Sequence, residues 1–249
     1  MITVRYISQI SEGRQRVFDS AAGRWDRLID TSYPALTVNG EVLDGILIEA
    51  SIVPIDGATG VLGQAGPTIL RPGGVLPAQG VMQFDVADVE RLEQTGSFED
   101  VVLHEMAHVL GFGTLWQRQG LVNNSGTNNP IFVGDAARQE YAALSQSSRS
   151  GGVPVANTGG AGTREGHWRE LVFGDELLTG FISGSERPIS RMSVAAFADM
   201  GYDVDLDAAD PYTLPTFREL AEIGITEAVR ICDLCRMARP GDPIVLDGS

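Results

Sequence analysis

Lysine is absent from this chain of 249 residues: all 18 basic side chains are arginine, against 33 acidic ones, for a formal charge of −15. With no basic stripe to displace counterions from phosphates, nucleic acid is excluded as a partner. We attach no function to the missing lysine itself. Cysteine is nearly absent, and two residues cannot build a disulfide framework. No run approaches the roughly 18 apolar residues of a membrane-spanning helix, which excludes a transmembrane segment. Met1 to Tyr6 read as a strand, without the features of a secretory leader, so a cytoplasmic, leaderless or trimmed form is expected. Histidine is scarce as well, at three. The ordinary part is the apolar content: 43% hydrophobic with 20% charged supplies a core for one or two domains and argues against disorder.

Along the chain, the pattern predicts a strand over 2–7. A helix follows, with Phe18, Ala22, Trp25 and Ile29 on its apolar face, and ends before Pro34. The β-branched run GILIEASIVPI predicts a buried strand within 45–55, and shorter strands are expected over 67–71 and 81–85. A short helix is expected over 86–94. Ser97 and Asp100 then have capping-box spacing at the start of a helix that should run to Leu110 and stop at Gly111, where a residue without Cβ can take positive φ. From Gly111 to Gly166 the chain turns rich in Gly, Asn, Ser and Thr, with one helix expected over 135–144. Further helices are expected over 193–200, 216–222 and 227–237.

The helix over 97–110 carries His104-Glu105-Met106-Ala107-His108, an H-E-x-x-H motif. Helical residues four apart lie one above the other, so both imidazoles point to one side. Zinc–nitrogen bonds of about 2.0–2.1 Å require such convergence. Glu105, rotated by about 100°, is placed to serve a water at the metal without being a ligand. Val102, Met106 and Val109 give the helix a separate apolar face. For a chain of this composition, chance would produce the motif on the order of 0.002 times.

A catalytic zinc needs a third protein ligand and one open position. The compact pattern H-E-x-x-H-x-x-G-x-x-H puts a histidine at position 114. Gly111 fits that pattern, but Thr114 stands where the histidine is required. The remaining histidine is His167, in GTREGHW, beside glycines that allow a loop to approach a metal closely. The competing ligand is Glu140, on the second helix of a thermolysin-like arrangement; a solvated helix surface beside Arg138 is its simpler explanation.

HEMAHVLGFGTLW, followed after a long Gly-rich insert by GTREGHW, resembles the leishmanolysin family of metzincin metalloproteases. FDSAAGRWDRLI and ILIEASIVPIDG are similar to segments of its bacterial members, and the likeness spans roughly residues 2–202. The resemblance implies an α+β metzincin-type fold. Its mixed twisted sheet and zinc-site helix would form an N-terminal α/β subdomain over 1–111. An irregular, helix-containing C-terminal subdomain over 112–249 would deliver the third ligand. His104, His108 and His167 would hold one zinc ion, and Glu105 would be the general base. The substrate would be a protein or peptide, extended antiparallel to an edge strand above the zinc helix. The resemblance also favours a secreted or cell-surface setting. One position departs: the family carries methionine in a turn beneath the imidazoles, and the matching Asp175-Glu176-Leu177-Leu178 has Leu178 there. Leucine is apolar and of similar volume, so it can fill that space; Met192 is a worse-aligned substitute.

The implied activity is zinc-dependent endopeptidase. The alternative from another class is a catalytically silent zinc-containing peptide-binding module or adhesin, which Leu178 favours and an intact Glu105 opposes. Tyr202 is the only tyrosine between His167 and residue 210, and no residue is marked as an oxyanion stabiliser. Cys232-Asp233-Leu234-Cys235 lacks a second pair and reads as small structural cysteines or a local disulfide. Asp203, Asp205, Asp207 and Asp210 raise Ca²⁺ as a second cofactor, but Ala208 and Leu214 break the calcium-loop pattern, so a solvated acidic loop is the simpler expectation. Gly159, Gly160 and Gly162 form a run-up to His167 and no phosphate loop.

Overall fold

The computed structural model describes residues 1–38, 40–55, 57, 62–147, 151–160, 162–181, 187–227 and 242–247. The chain opens with β1 (Ile2–Tyr6), α1 (Glu12–Leu28) and the short β2 (Ile29–Asp30). A hairpin follows, β3 (Leu36–Val38) and β4 (Glu41–Leu43), which the sequence pattern did not anticipate. Then come β5 (Ile46–Val53), β6 (Gly63–Leu70), β7 (Pro77–Asp85), α2 (Val86–Gln94) and α3 (Phe98–Val109). The second half holds β8 (Val122–Asn123), β9 (Ile131–Phe132), α4 (Asp135–Leu144), β10 (Val153–Pro154) and α5 (Glu170–Phe173). It ends with α6 (Arg191–Asp199), β11 (Asp203–Val204), α7 (Phe217–Glu227) and β12 (Ile244–Val245). The cysteine pair and most of the helix expected over 227–237 lie outside the described residues.

The principal sheet has the order β1-β5-β7-β6-β12. Strands β1, β5 and β7 are parallel, β6 is antiparallel to β7, and β12 runs parallel to β6 through Ile69 and Leu70 only. This is the mixed sheet expected. Strand β5 is almost continuously apolar because both its faces are covered. Ile46, Ile48, Ala50 and Ile52 face the main core, whereas Leu47 packs with Val38, Leu43, Ile69 and Ala78 under the hairpin.

Helices α1 and α3 lie on the main-core face. Phe18, Ala22 and Trp25 are buried at the expected spacing, and the Trp25 indole N–H donates to the Leu103 carbonyl at 3.0 Å, tying α1 to α3. The apolar face of α3 is as read: Val102, Met106 and Val109 are all fully buried. Its N-terminus differs. Only Thr95, Gly96 and Ser97 connect α2 to α3, and this tight link holds Ser97 in helical conformation (φ −99°, ψ −2°), from which its side chain makes no cap. Asp100 turns instead to Arg187, in the segment before α6. At the other end Gly111 takes φ +107°, the left-handed turn expected of it.

The Gly-rich insert carries a small antiparallel sheet in the order β10-β9-β8. An aromatic cluster joins this sheet to the rest: Trp168 meets Phe112 at 5.1 Å, Trp116 at 5.0 Å and Phe132 at 5.5 Å between ring centroids. The sequence neighbour of His167 is thereby anchored in the core.

Candidate metal centre

Helix α3 presents His104 and His108 from adjacent turns, and a loop from the insert brings His167 to them. The two Nε2 atoms of the helix and that of His167 form a triangle with all three sides 3.0 Å. Among the described residues, the three histidines form the only group of side chains placed to share a metal ion. The loop can come so close because Gly113, at φ +71°, has no side chain: a Cβ there would lie 2.0 Å from the Gly166 carbonyl oxygen. Thr114, which occupies the compact pattern's histidine position, donates its hydroxyl to the His108 carbonyl at 2.8 Å.

Each imidazole is oriented through its other nitrogen. His104 Nδ1 lies 2.8 Å from the Leu177 carbonyl, His108 Nδ1 2.8 Å from that of Phe112, and His167 Nδ1 3.0 Å from that of Thr163. A carbonyl only accepts, so the ring proton sits on Nδ1 in all three, and three Nε2 lone pairs converge with no proton among them. Such a set repels itself unless a cation fills it. The three corners also lie within the roughly 2.0–2.1 Å zinc–nitrogen distance of one common point. The donors therefore fit zinc in number, chemistry and spacing.

Burial pushes the His104 imidazole down to about 4. Burial, with His104 beside it, takes His108 to about 3, and burial and the other two rings hold His167 well below its ordinary range. All three are neutral near pH 7, as metal ligands must be. Because each titrates lower in the fold than at the ordinary 6.5, the unfolded chain binds more protons below that pH. The stability of metal-free protein is therefore full above about pH 6.5 and falls as pH drops, by up to about 1.4 kcal/mol per pH unit for each imidazole. Thermal unfolding of chelator-treated protein from pH 7 to 5 measures this; a flat Tm would show that the rings are not held neutral.

Glu105 is fully buried between the two helix histidines in sequence and stands outside the ligating group. The Glu140 carboxylate pairs with Arg191 at 3.2 Å and is not part of that group. Tyr202 is no oxyanion candidate: its hydroxyl is buried and donates to the Leu110 carbonyl at 2.8 Å, closing the end of α3. The acidic run after it is engaged with arginines and backbone, and nothing in these contacts supports calcium. Asp207 pairs with Arg191, Asp210 with Arg24, and Asp205 accepts from the Asp207 N–H.

Leu178 is fully buried, and its carbonyl accepts from the Trp168 N–H at 3.0 Å. Beside it is Glu176, 1% exposed, which sequence reasoning passed over as part of a motif segment. Its Oε2 accepts from the Leu178 N–H at 2.7 Å; its Oε1 accepts from the Ser190 N–H at 3.0 Å, the Ser190 hydroxyl at 2.9 Å and the Ser193 hydroxyl. Ser190 and Ser193 carried a visible signal only as the N-cap spacing of α6.

The three buried histidines, two from an H-E-x-x-H helix and one from a distant loop, form a group that could hold a metal ion. A family model described as leishmanolysin matches residues 34–215, across the site and most of the principal sheet. The chain belongs to the leishmanolysin family, a family of zinc-dependent metalloproteases. No curated protein matches the chain at a significant level. Among the described residues, no helix is long and apolar enough to cross a membrane.

Proposed function

We propose that this chain is a zinc endopeptidase whose metal is held by His104, His108 and His167 and whose general base is Glu105. The observation that carries it is the triangle of Nε2 atoms at 3.0 Å, each ring locked from behind by a carbonyl, with two of its corners on the helix that also bears Glu105. Zinc at that position would supply Lewis acidity, bringing the pKa of a water to near 7 and polarising the scissile carbonyl. Glu105 accepts a proton from the attacking water as its oxygen bonds to the carbonyl carbon. It then delivers that proton to the amine as the C–N bond breaks. Leu178 takes the apolar position beneath the rings.

In this proposal the substrate occupies the cleft between the N-terminal part (1–111) and the C-terminal part (112–249). It lies extended along β6. Among the described residues, β12 pairs with Ile69 and Leu70 of that strand, and the proposal gives its Gly63–Thr68 stretch to the peptide. A setting outside the cell or at its surface, as for the family, completes the proposal.

The parent chain with stoichiometric zinc is expected to cleave casein, and a chelator to abolish the cleavage until zinc is restored. Zinc uptake without any cleavage would replace the protease with a silent peptide-binding module.

A further inference from the structure

We propose that Glu176 is a positioning residue for the metal centre, setting the direction of His104 and anchoring the residue next to His167. This rests on the zinc site proposed above. The carboxylate is buried and takes four hydrogen bonds, from the Leu178 N–H, the Ser190 N–H and the two hydroxyls of Ser190 and Ser193. Four donors suit an acceptor-only carboxylate, and bonds to a charged acceptor are the stronger kind. They compensate a burial that would otherwise be costly.

Two paths lead from this carboxylate to the ligands. The first is through the backbone. Glu176 Oε2 pins the Leu178 N–H at 2.7 Å, and the Leu177 N–H is held by the Pro188 carbonyl at 3.0 Å. The peptide between them carries the Leu177 carbonyl, which meets His104 Nδ1 at 2.8 Å. That carbonyl keeps the His104 proton on Nδ1 and its lone pair on Nε2. The second path is a chain with one direction of donation. The Trp168 indole N–H donates to Ser193 Oγ at 2.8 Å, and the Ser193 hydroxyl donates on to Glu176 Oε1. Trp168 follows His167 directly, and its own N–H is held by the Leu178 carbonyl at 3.0 Å.

His108 stands apart from this network. Its Nδ1 partner is the Phe112 carbonyl, supplied by the turn that ends its own helix. His167 Nδ1 also meets a carbonyl four residues away, that of Thr163, so the carboxylate reaches His104 through the Leu177 carbonyl and His167 only through its neighbour Trp168. Partners that orient metal-bound histidines typically contribute 10–100-fold to metal affinity when they act directly.

The test uses the full chain with Glu176→Gln, which keeps the size but turns an amide N–H₂ toward donors. Ser193→Ala breaks the second path alone. Ala137→Gly, in α4, is the control for general destabilisation of the same half of the molecule. Zinc affinity is read by competition with a chromogenic chelator, ligand geometry by the visible d–d bands of the cobalt(II) form, and stability by thermal unfolding of metal-free protein. Glu176→Gln is expected to weaken zinc by about 10–100-fold and to alter the cobalt bands. Ser193→Ala should give a smaller loss of the same kind, and Ala137→Gly should keep parental affinity and bands at its lowered Tm. If Glu176→Gln does not fold, Ser193→Ala decides against the same control. Parental affinity and bands in the network variants would overturn the inference, as would losses that track Tm equally in all three. A parent chain that binds neither metal would overturn the zinc site first, and the inference with it.

Discussion

Glu105→Ala is expected to lower casein hydrolysis by a factor on the order of 10²–10⁴ while the chain still binds one zinc ion. The proposed site divides two jobs along one helix. In the proposed site His104 and His108 would hold metal through Nε2, and each ring is oriented by a backbone carbonyl, of Leu177 and of Phe112. Removing its carboxylate therefore leaves the donor set intact. It removes the one acidic side chain within H-E-x-x-H that can take a proton from water and return it to the leaving amine. Glu105→Gln should behave alike, since an amide keeps the shape and cannot accept the proton. Zinc content, circular dichroism and cleavage, measured on one preparation, check all three parts. Parental cleavage by either variant would remove Glu105 from the mechanism; zinc loss would make it part of the metal site instead.

His167→Ala is expected to weaken zinc by more than the roughly 10–100-fold typical of an outer partner, and to abolish cleavage. The loss should be large because His167 supplies one corner of the 3.0 Å triangle, and two imidazoles on one helix do not close a three-ligand site. Glu140→Ala is the comparison. Its carboxylate is engaged with Arg191, so that variant should bind zinc as the parent does. Stoichiometric, tight zinc in His167→Ala together with zinc loss in Glu140→Ala would require the thermolysin-like ligand set. Chelator competition distinguishes the cases without any substrate.

The legible part of this protein was local. A helix repeats every 3.6 residues, so His104, Glu105 and His108 have fixed relations as soon as the segment is known to be helical, and Val102, Met106 and Val109 show which side is buried. Gly111 could be read as the stop because positive φ is a property of a single residue. His167 is legible in another way, as the one histidine of three outside the helix and as part of the GTREGHW segment. The failure at Ser97 shows where local rules give out: its spacing to Asp100 suits a cap, but a three-residue link and the pull of Arg187 decided otherwise.

Taken alone, the sequence determined which residues are chemically equipped to bind zinc and move a proton, because ligand type and helical phase are short-range properties. The tertiary structure decided how those residues are held. The contact of Gly113 with Gly166, the carbonyl of Leu177 behind the His104 ring, and the Glu176 network all join segments separated in the chain. No spacing encodes such contacts. They exist only once burial has removed water and each polar group must find its partner inside the fold.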